Sequence, residues 1–166
     1  MDGKELEAAC MSDQHIKKYY RGIYAIDTLP KRLNANGIFL CNTSPIAHEG
    51  RHWFCLHTLQ HDVTVVFDSY GHPPATQIWT NLFSHGKIVY YSDVRLQELF
   101  SQVCGHYVLY TCALWARGYS MLDILLQHYF DPSETLKNDS LVHSVISSRY
   151  DVGDASILIP EIKLKK

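Results

Sequence analysis

The spacing of apolar and polar positions divides the chain into a succession of short elements. Residues 3–11 (GKELEAACM) read as an opening helix, and a polar, aromatic stretch with Tyr19, Tyr20 and Tyr24 leads to a turn around Leu29-Pro30. GIFLCNT (37–43) is apolar enough for a buried strand. After the loop SPIAHEG, the runs HWFCLHT (52–58) and DVTVVFD (62–68) predict adjacent antiparallel strands, with Leu59-Gln60-His61 in their connection. ATQIWTNLFSHG carries apolar residues at helical spacing and a glycine stop, and KIVYY (87–91) reads as a further strand. The segment after Cys104, GHYVLYTCALWARG, is apolar on nearly every side, which is what a helix buried centrally in a domain requires. MLDILLQHYF and the stretch SLVHSVISSRY near 140–150 predict C-terminal helices. Short strands in the middle with helices before and after give an α+β domain with a small central mixed or antiparallel sheet. One domain is expected over 1–160, with EIKLKK (161–166) as a flexible tail.

Composition narrows the classes of function. Hydrophobic residues are 46% and aromatics 12% of the 166, which excludes a disordered or collagen-like chain. Fifteen Lys and Arg against seventeen Asp and Glu leave a net charge of -2, so no whole-chain electrostatic grip on nucleic acid or an anionic membrane is expected. The five cysteines include no CxxC pair, no apolar leader opens the chain, and no apolar run reaches bilayer length. Those features predict reduced thiols in an intracellular, reducing compartment and no membrane partner.

The candidate chemistry centres on Cys104. A thiol directly before a buried helix sits at the positive end of the helix dipole and near unpaired N–H groups, both of which favour the nucleophilic thiolate. Taken alone it is more simply a small core cysteine. Gly105 beside it would let a substrate backbone come close. His52 opens one strand and Asp68 closes the next, each about seven residues from the turn, so a hairpin puts them at the same sheet end. A carboxylate there could fix the imidazole tautomer and leave the other nitrogen for a thiol proton. Gln97 precedes Cys104 by seven residues and could donate to a developing oxyanion with the Cys104 N–H, a role for which Gln102 competes. Trp53 could shield a substrate groove. The ten histidines also raise a zinc site through His48-x3-His52 and His57-x3-His61. On strands, however, residues i and i+4 lie roughly 13 Å apart, too far for one metal, and no metal ligand set is assigned.

The runs EGRHWFCLHT, VVFDSYG and LQELFSQVCGHYVLYTCALWARG resemble the adenovirus protease (adenain) family of cysteine proteases, in the wider clan of SUMO-specific and ubiquitin-like proteases. The shared order is His-Trp, an acidic residue before an aromatic-Gly loop, Gln, then Cys-Gly opening a central helix. Gly22-Ile23-Tyr24 behind an acidic helix, and Asn42-Thr43 ahead of the His loop, extend the likeness over roughly the first 120 residues. The resemblance implies a cysteine-protease fold, with His52 as general base, Asp68 as its orienter, Gln97 as oxyanion donor and Cys104 as nucleophile. Trp53 and Gly105, the substrate-binding candidates, are the second members of its His-Trp and Cys-Gly pairs.

By the same resemblance the substrate would be a Gly-containing site in a viral or virus-like-element precursor, such as a capsid precursor protein, cut in the host nucleus or the virion. The alternatives are a ubiquitin-like-protein deconjugating protease and a protease-like module that binds a peptide without cutting it. No cofactor is implied for the chemistry. Adenoviral enzymes are activated by a short peptide, disulfide-bonded to a cysteine upstream of the nucleophile, and by DNA. Here SHGKIVYYSDVRLQ has no cysteine, and the basic pairs Lys17-Lys18, Lys31-Arg32 and Lys165-Lys166 are scattered, which argues against both activators.

Overall fold

The computed structural model describes residues 1–60, 62–83, 88–126 and 130–151. The chain runs α1 (Gly3–Ser12), α2 (Ile16–Tyr19), β1 (Tyr20–Ala25), β2 (Gly37–Asn42), β3 (Trp53–Thr58), β4 (Val63–Phe67), α3 (Thr76–Phe83), β5 (Ile88–Tyr91), α4 (Cys104–Trp115), α5 (Met121–Leu126) and α6 (Thr135–Asp151). The strands form one sheet in the order β1-β2-β3-β4-β5. β2, β3 and β4 are antiparallel neighbours, whereas β1 pairs parallel to β2 and β5 parallel to β4. The architecture is a mixed α+β domain, as the pattern predicts.

Strand alternation serves two cores. Ile38, Leu40, Cys55, Val65 and Phe67 face α4 together with Leu6 and Cys10 of α1 and Val142 and Ile146 of α6. The intervening Phe39, Cys41, Phe54, Leu56 and Val66 pack with Leu29, Leu33 and the α3 residues Ile78 and Leu82 on the opposite face. Burial on both faces explains why GIFLCN reads as an unbroken apolar run. α4 buries every residue from Tyr107 to Trp115. Its far end is tied down by Asp13, a buried carboxylate that pairs with Arg117 of the turn after α4, at 3.2 Å, and with Arg149 of α6. Burial alone would raise the pKa of Asp13. The N–H groups of Ile16 and His15 and the two guanidiniums outweigh it and hold the carboxyl below its ordinary value.

Three elements differ from the sequence expectation. β1 is a half-buried edge strand that the polar, aromatic stretch did not signal, since it shows no apolar alternation. α6 starts at Thr135, ahead of 140, because Asp131 builds a turn there: its carboxylate accepts from Ser133 N at 2.9 Å and its carbonyl from Glu134 N at 2.9 Å. The helix read in MLDILLQHYF is α5 over Met121–Leu126, while Phe130 is buried against Tyr107 and Tyr110 outside any helix. The glycine stop after α3 and the 161–166 tail lie outside the described residues. Among those described, no helix is long and apolar enough to cross a membrane.

Candidate active site

The β3–β4 register decides how His52 and Asp68 meet. Cys55 pairs with Phe67 and Leu56 with Val66. Continued one step, that register puts Asp68 opposite Phe54, two residues from His52. The pair is therefore diagonal, on one face of the hairpin end, where long side chains still reach each other. His52 Nε2 donates to Asp68 Oδ1 at 2.9 Å, and both residues are buried. Asp68 is itself held, because Oδ1 also accepts from Tyr70 N at 2.8 Å while the Gly71 N–H bonds the Asp68 carbonyl at 3.0 Å. The sequence Asp-Ser-Tyr-Gly thus closes an Asx-type turn, for which Gly71 supplies the positive φ of 71°.

Cys104 is the first residue of α4, and Val103 before it makes no side-chain capping bond. The free N–H groups of that helix end are available to the sulfur. Burial alone would raise the thiol's pKa, but the His52 side chain and the N–H groups of Trp53 and Gly105 outweigh it, and the net shift is downward. His52 mirrors this. Burial works against its protonation, but the bond to Asp68 and the interaction with Cys104 prevail and lift it to about 9. Since Nε2 is committed to Asp68, the Cys104 interaction falls to Nδ1, which is buried and makes no aligned hydrogen bond. A lowered thiol beside a raised imidazole is the electrostatic condition for a thiolate–imidazolium pair.

Gln97 is fully buried while Gln102 is exposed. The Gln97 Oε1 accepts from Ser69 Oγ at 2.6 Å; its Nε2 faces Ser101 O at 2.9 Å, Ser101 Oγ at 3.0 Å and Tyr70 OH at 3.3 Å. Three acceptors compete for two amide hydrogens. Tyr70 links this amide to the imidazole, for its ring lies 4.8 Å from that of His52. Trp53 is half-buried and donates its indole N–H to Met1 O at 3.3 Å. Gly105 is buried beneath Met1, and a Cβ there would meet the Met1 Cβ at 3.1 Å. Both residues flank the thiol, and the first residue of the chain covers both.

Tyr70, Ser69 and His72 were not anticipated. His72 is exposed, edge-on to His52 at 6.5 Å, with Nδ1 3.9 Å from Asp68 Oδ2. The signal for all three was the Asx turn, which returns the residues after Asp68 over the imidazole. A cavity of about 210 Å³ opens beside Asp68 and His72, lined by Thr43, Phe54, Val66 and Pro73. A larger one of about 460 Å³, bounded by Glu5, Ala8, Ile146 and Tyr150, contains none of the four candidate catalytic residues. Of the histidines in the zinc spacings, His48 is exposed, His57 stacks on Trp115 at 4.9 Å and His61 lies outside the described residues. Among the described residues, no three His, Cys, Asp or Glu side chains gather as metal ligands.

No protein-family model and no curated protein matches the chain. Among solved structures it is similar to the crystal structure of ASFV pS273R protease, with a TM-score of 0.52 and 16% identity over 75% of this chain and 60% of that one. The fold is one that a protease uses. A selenomethionine form of the same protease aligns at a TM-score of 0.40 and 19% identity over 61% of this chain and 42% of that one. The chain thus spans about 60% of the length of the protease it matches over the larger extent.

Proposed function

We propose that this chain is a cysteine endopeptidase. The observation that carries the reading is the arrangement around His52: Nε2 bonded to a buried carboxylate at 2.9 Å, and Nδ1 left for a thiol of lowered pKa at an uncapped helix end. In the proposed mechanism the Cys104 thiolate attacks a peptide carbonyl while His52 carries the thiol's proton on Nδ1. The carbonyl oxygen becomes an oxyanion, bound by the Cys104 N–H and by a Gln97 amide hydrogen released from Ser101 or Tyr70. His52 then gives its proton to the departing amine. The thioester is hydrolysed by a water that returns a proton to Nδ1 and frees the carboxylic acid. Asp68 keeps Nε2 protonated throughout and stabilises the imidazolium.

The substrate class follows from the resemblance to the adenain family: a Gly-containing site in a viral or virus-like precursor protein. The buried Gly105 beside Cys104 is compatible with a close-lying substrate backbone, which would displace Met1 from Gly105 and Trp53. Processing by the adenain type is favoured over ubiquitin-like deconjugation by the N-terminal likeness through Gly22-Ile23-Tyr24. The test combines iodoacetamide alkylation across pH with cleavage of Gly-Gly-containing peptides, using Cys104→Ala as the control. Fast alkylation of Cys104 below pH 8, and cleavage that Cys104→Ala abolishes, are expected. A Cys104 that alkylates like an ordinary thiol, with no cleavage, refutes the reading.

A further inference from the structure

The short run Leu96-Gln97-Glu98 is held from two sides. Toward the site, the Leu96 and Gln97 N–H groups both donate to Ser69 O, at 2.9 and 3.0 Å. From behind, α6 supplies the rest. Asn138 Nδ2 donates to Leu96 O at 3.1 Å, Glu98 N donates to Asp139 Oδ1 at 3.4 Å, and Thr135 Oγ1 donates to the Glu98 carboxylate at 2.6 Å. Asn138 and Asp139 are both buried. Asn138 is locked in turn by Asp131, whose N–H meets its Oδ1 at 3.1 Å and whose carbonyl takes its Nδ2 at 2.8 Å.

The same network reaches the nucleophile's helix. Tyr107 stands three residues after Cys104 on α4, is fully buried, and has its hydroxyl 2.9 Å from both Leu96 O and Asp139 Oδ1. A hydroxyl has one proton, so it serves one of these acceptors at a time. With Asn138 bonded to Leu96 O, Tyr107 is free to donate to Asp139. Without Asn138, Tyr107 either leaves Leu96 O unpaired or turns to it and leaves Asp139 Oδ1 with only the 3.4 Å bond from Glu98 N, and losing a buried acceptor's partner is costly enough to shift the backbone.

We propose that Asn138 and Asp139 are positioning residues for the oxyanion site: α6 sets where the Gln97 amide stands relative to Cys104, by holding the backbone on both sides of Gln97 against Tyr107 of α4. This rests on the protease reading above. It assigns a role in the chemistry to a helix beyond the roughly 120 residues covered by the family resemblance. The His52–Asp68 bond is not itself part of this network, so the alkylation profile reads its state separately.

The experiment measures kcat, KM and the alkylation pH profile for Asn138→Ala, Asp139→Ala, Asp139→Asn and Gln97→Ala, and for Asn138→Ala combined with Gln97→Ala, all in the intact chain. The alanine variants are expected to lose kcat by about 10- to 100-fold with KM little changed, since displaced donors act on the transition state. Iodoacetamide alkylation needs no oxyanion donor, so its profile stays at wild type. Asp139→Asn, which keeps an acceptor for Tyr107 and Glu98, regains most of the kcat and guards against a variant that fails to fold. In the Gln97→Ala background, Asn138→Ala adds little. Full multiplication of the two effects, or an alkylation profile that shifts along with kcat, overturns the positioning role alone. A wild-type Cys104 with an ordinary profile and no cleavage overturns the protease reading, and this role with it.

Discussion

Replacing Asp68 with Asn keeps the size and the acceptor for Tyr70 N but removes the charge that holds His52 protonated. The rise of His52 from its ordinary 6.5 to about 9 is worth about 3 kcal/mol in favour of the imidazolium, and Asp68 is the first of the groups that raise it. Burial, which opposes protonation, remains in the variant with only the Cys104 interaction left to offset it, so the imidazole falls well below 9. The thiol loses its cationic neighbour near neutrality and its pKa climbs. Iodoacetamide alkylation of Cys104 at pH 6.5 is then expected to slow by about 10- to 100-fold, one decade for each unit of pKa. Peptide cleavage falls further, on the order of 10³- to 10⁴-fold, because an amide in place of the carboxylate admits the wrong tautomer.

Stability supplies an independent check with a fixed sign. A histidine whose pKa is raised on folding stabilises the native state fully below its unfolded value near 6.5, and the gain is lost as pH rises through about 9. Asp68→Asn should therefore cost up to about 3 kcal/mol more at pH 6 than at pH 10, read from urea melts at both pH values. An Asn variant that keeps wild-type alkylation at pH 6.5, or whose stability loss is the same at both pH values, refutes the electrostatic account of the site.

Three further outcomes are expected. Gly71→Ala puts a Cβ 2.8 Å from the Asp93 carbonyl at a φ of 71°, and should cost about 1–3 kcal/mol in urea melts while lowering cleavage, since that turn carries Asp68 and Tyr70. Burial against Trp115 pushes His57 down to about 4, so stability should fall by up to about 3 kcal/mol as pH drops from 6.5 to 4, and His57→Phe should flatten that slope. Asp13→Ala leaves Arg117 and Arg149 without their shared carboxylate and should cost about 3–5 kcal/mol by denaturant titration.

The sequence carried the site better where one element decides a position than where several do. Cys104 at a helix start was legible because the apolar stretch behind it admits only a buried helix. His52 and Asp68 were legible because a hairpin brings both strand ends together. Their diagonal offset was not, because register is set by pairing across the whole hairpin. β1 escaped detection for a related reason: a half-buried edge strand beside β2 needs no strict alternation.

Gln97 shows the limit most sharply. Its spacing from Cys104 marked it, but spacing alone also admitted Gln102. The two differ in burial, and the burial of Gln97 comes from Ser69 on one side and α6 on the other, 41 positions away in the chain from Gln97 to Asn138. The proposed nucleophile and its base can each be placed by one local rule, because a helix dipole and a strand end are local objects. The proposed oxyanion donor has to be held relative to both. That requires backbone groups on either side of it to be satisfied by distant partners, and those partners leave no periodic trace. Asn138 and Asp139 read as ordinary polar positions in a helix of mixed character, and only the hydrogen bonds to Leu96 and Glu98 distinguish them.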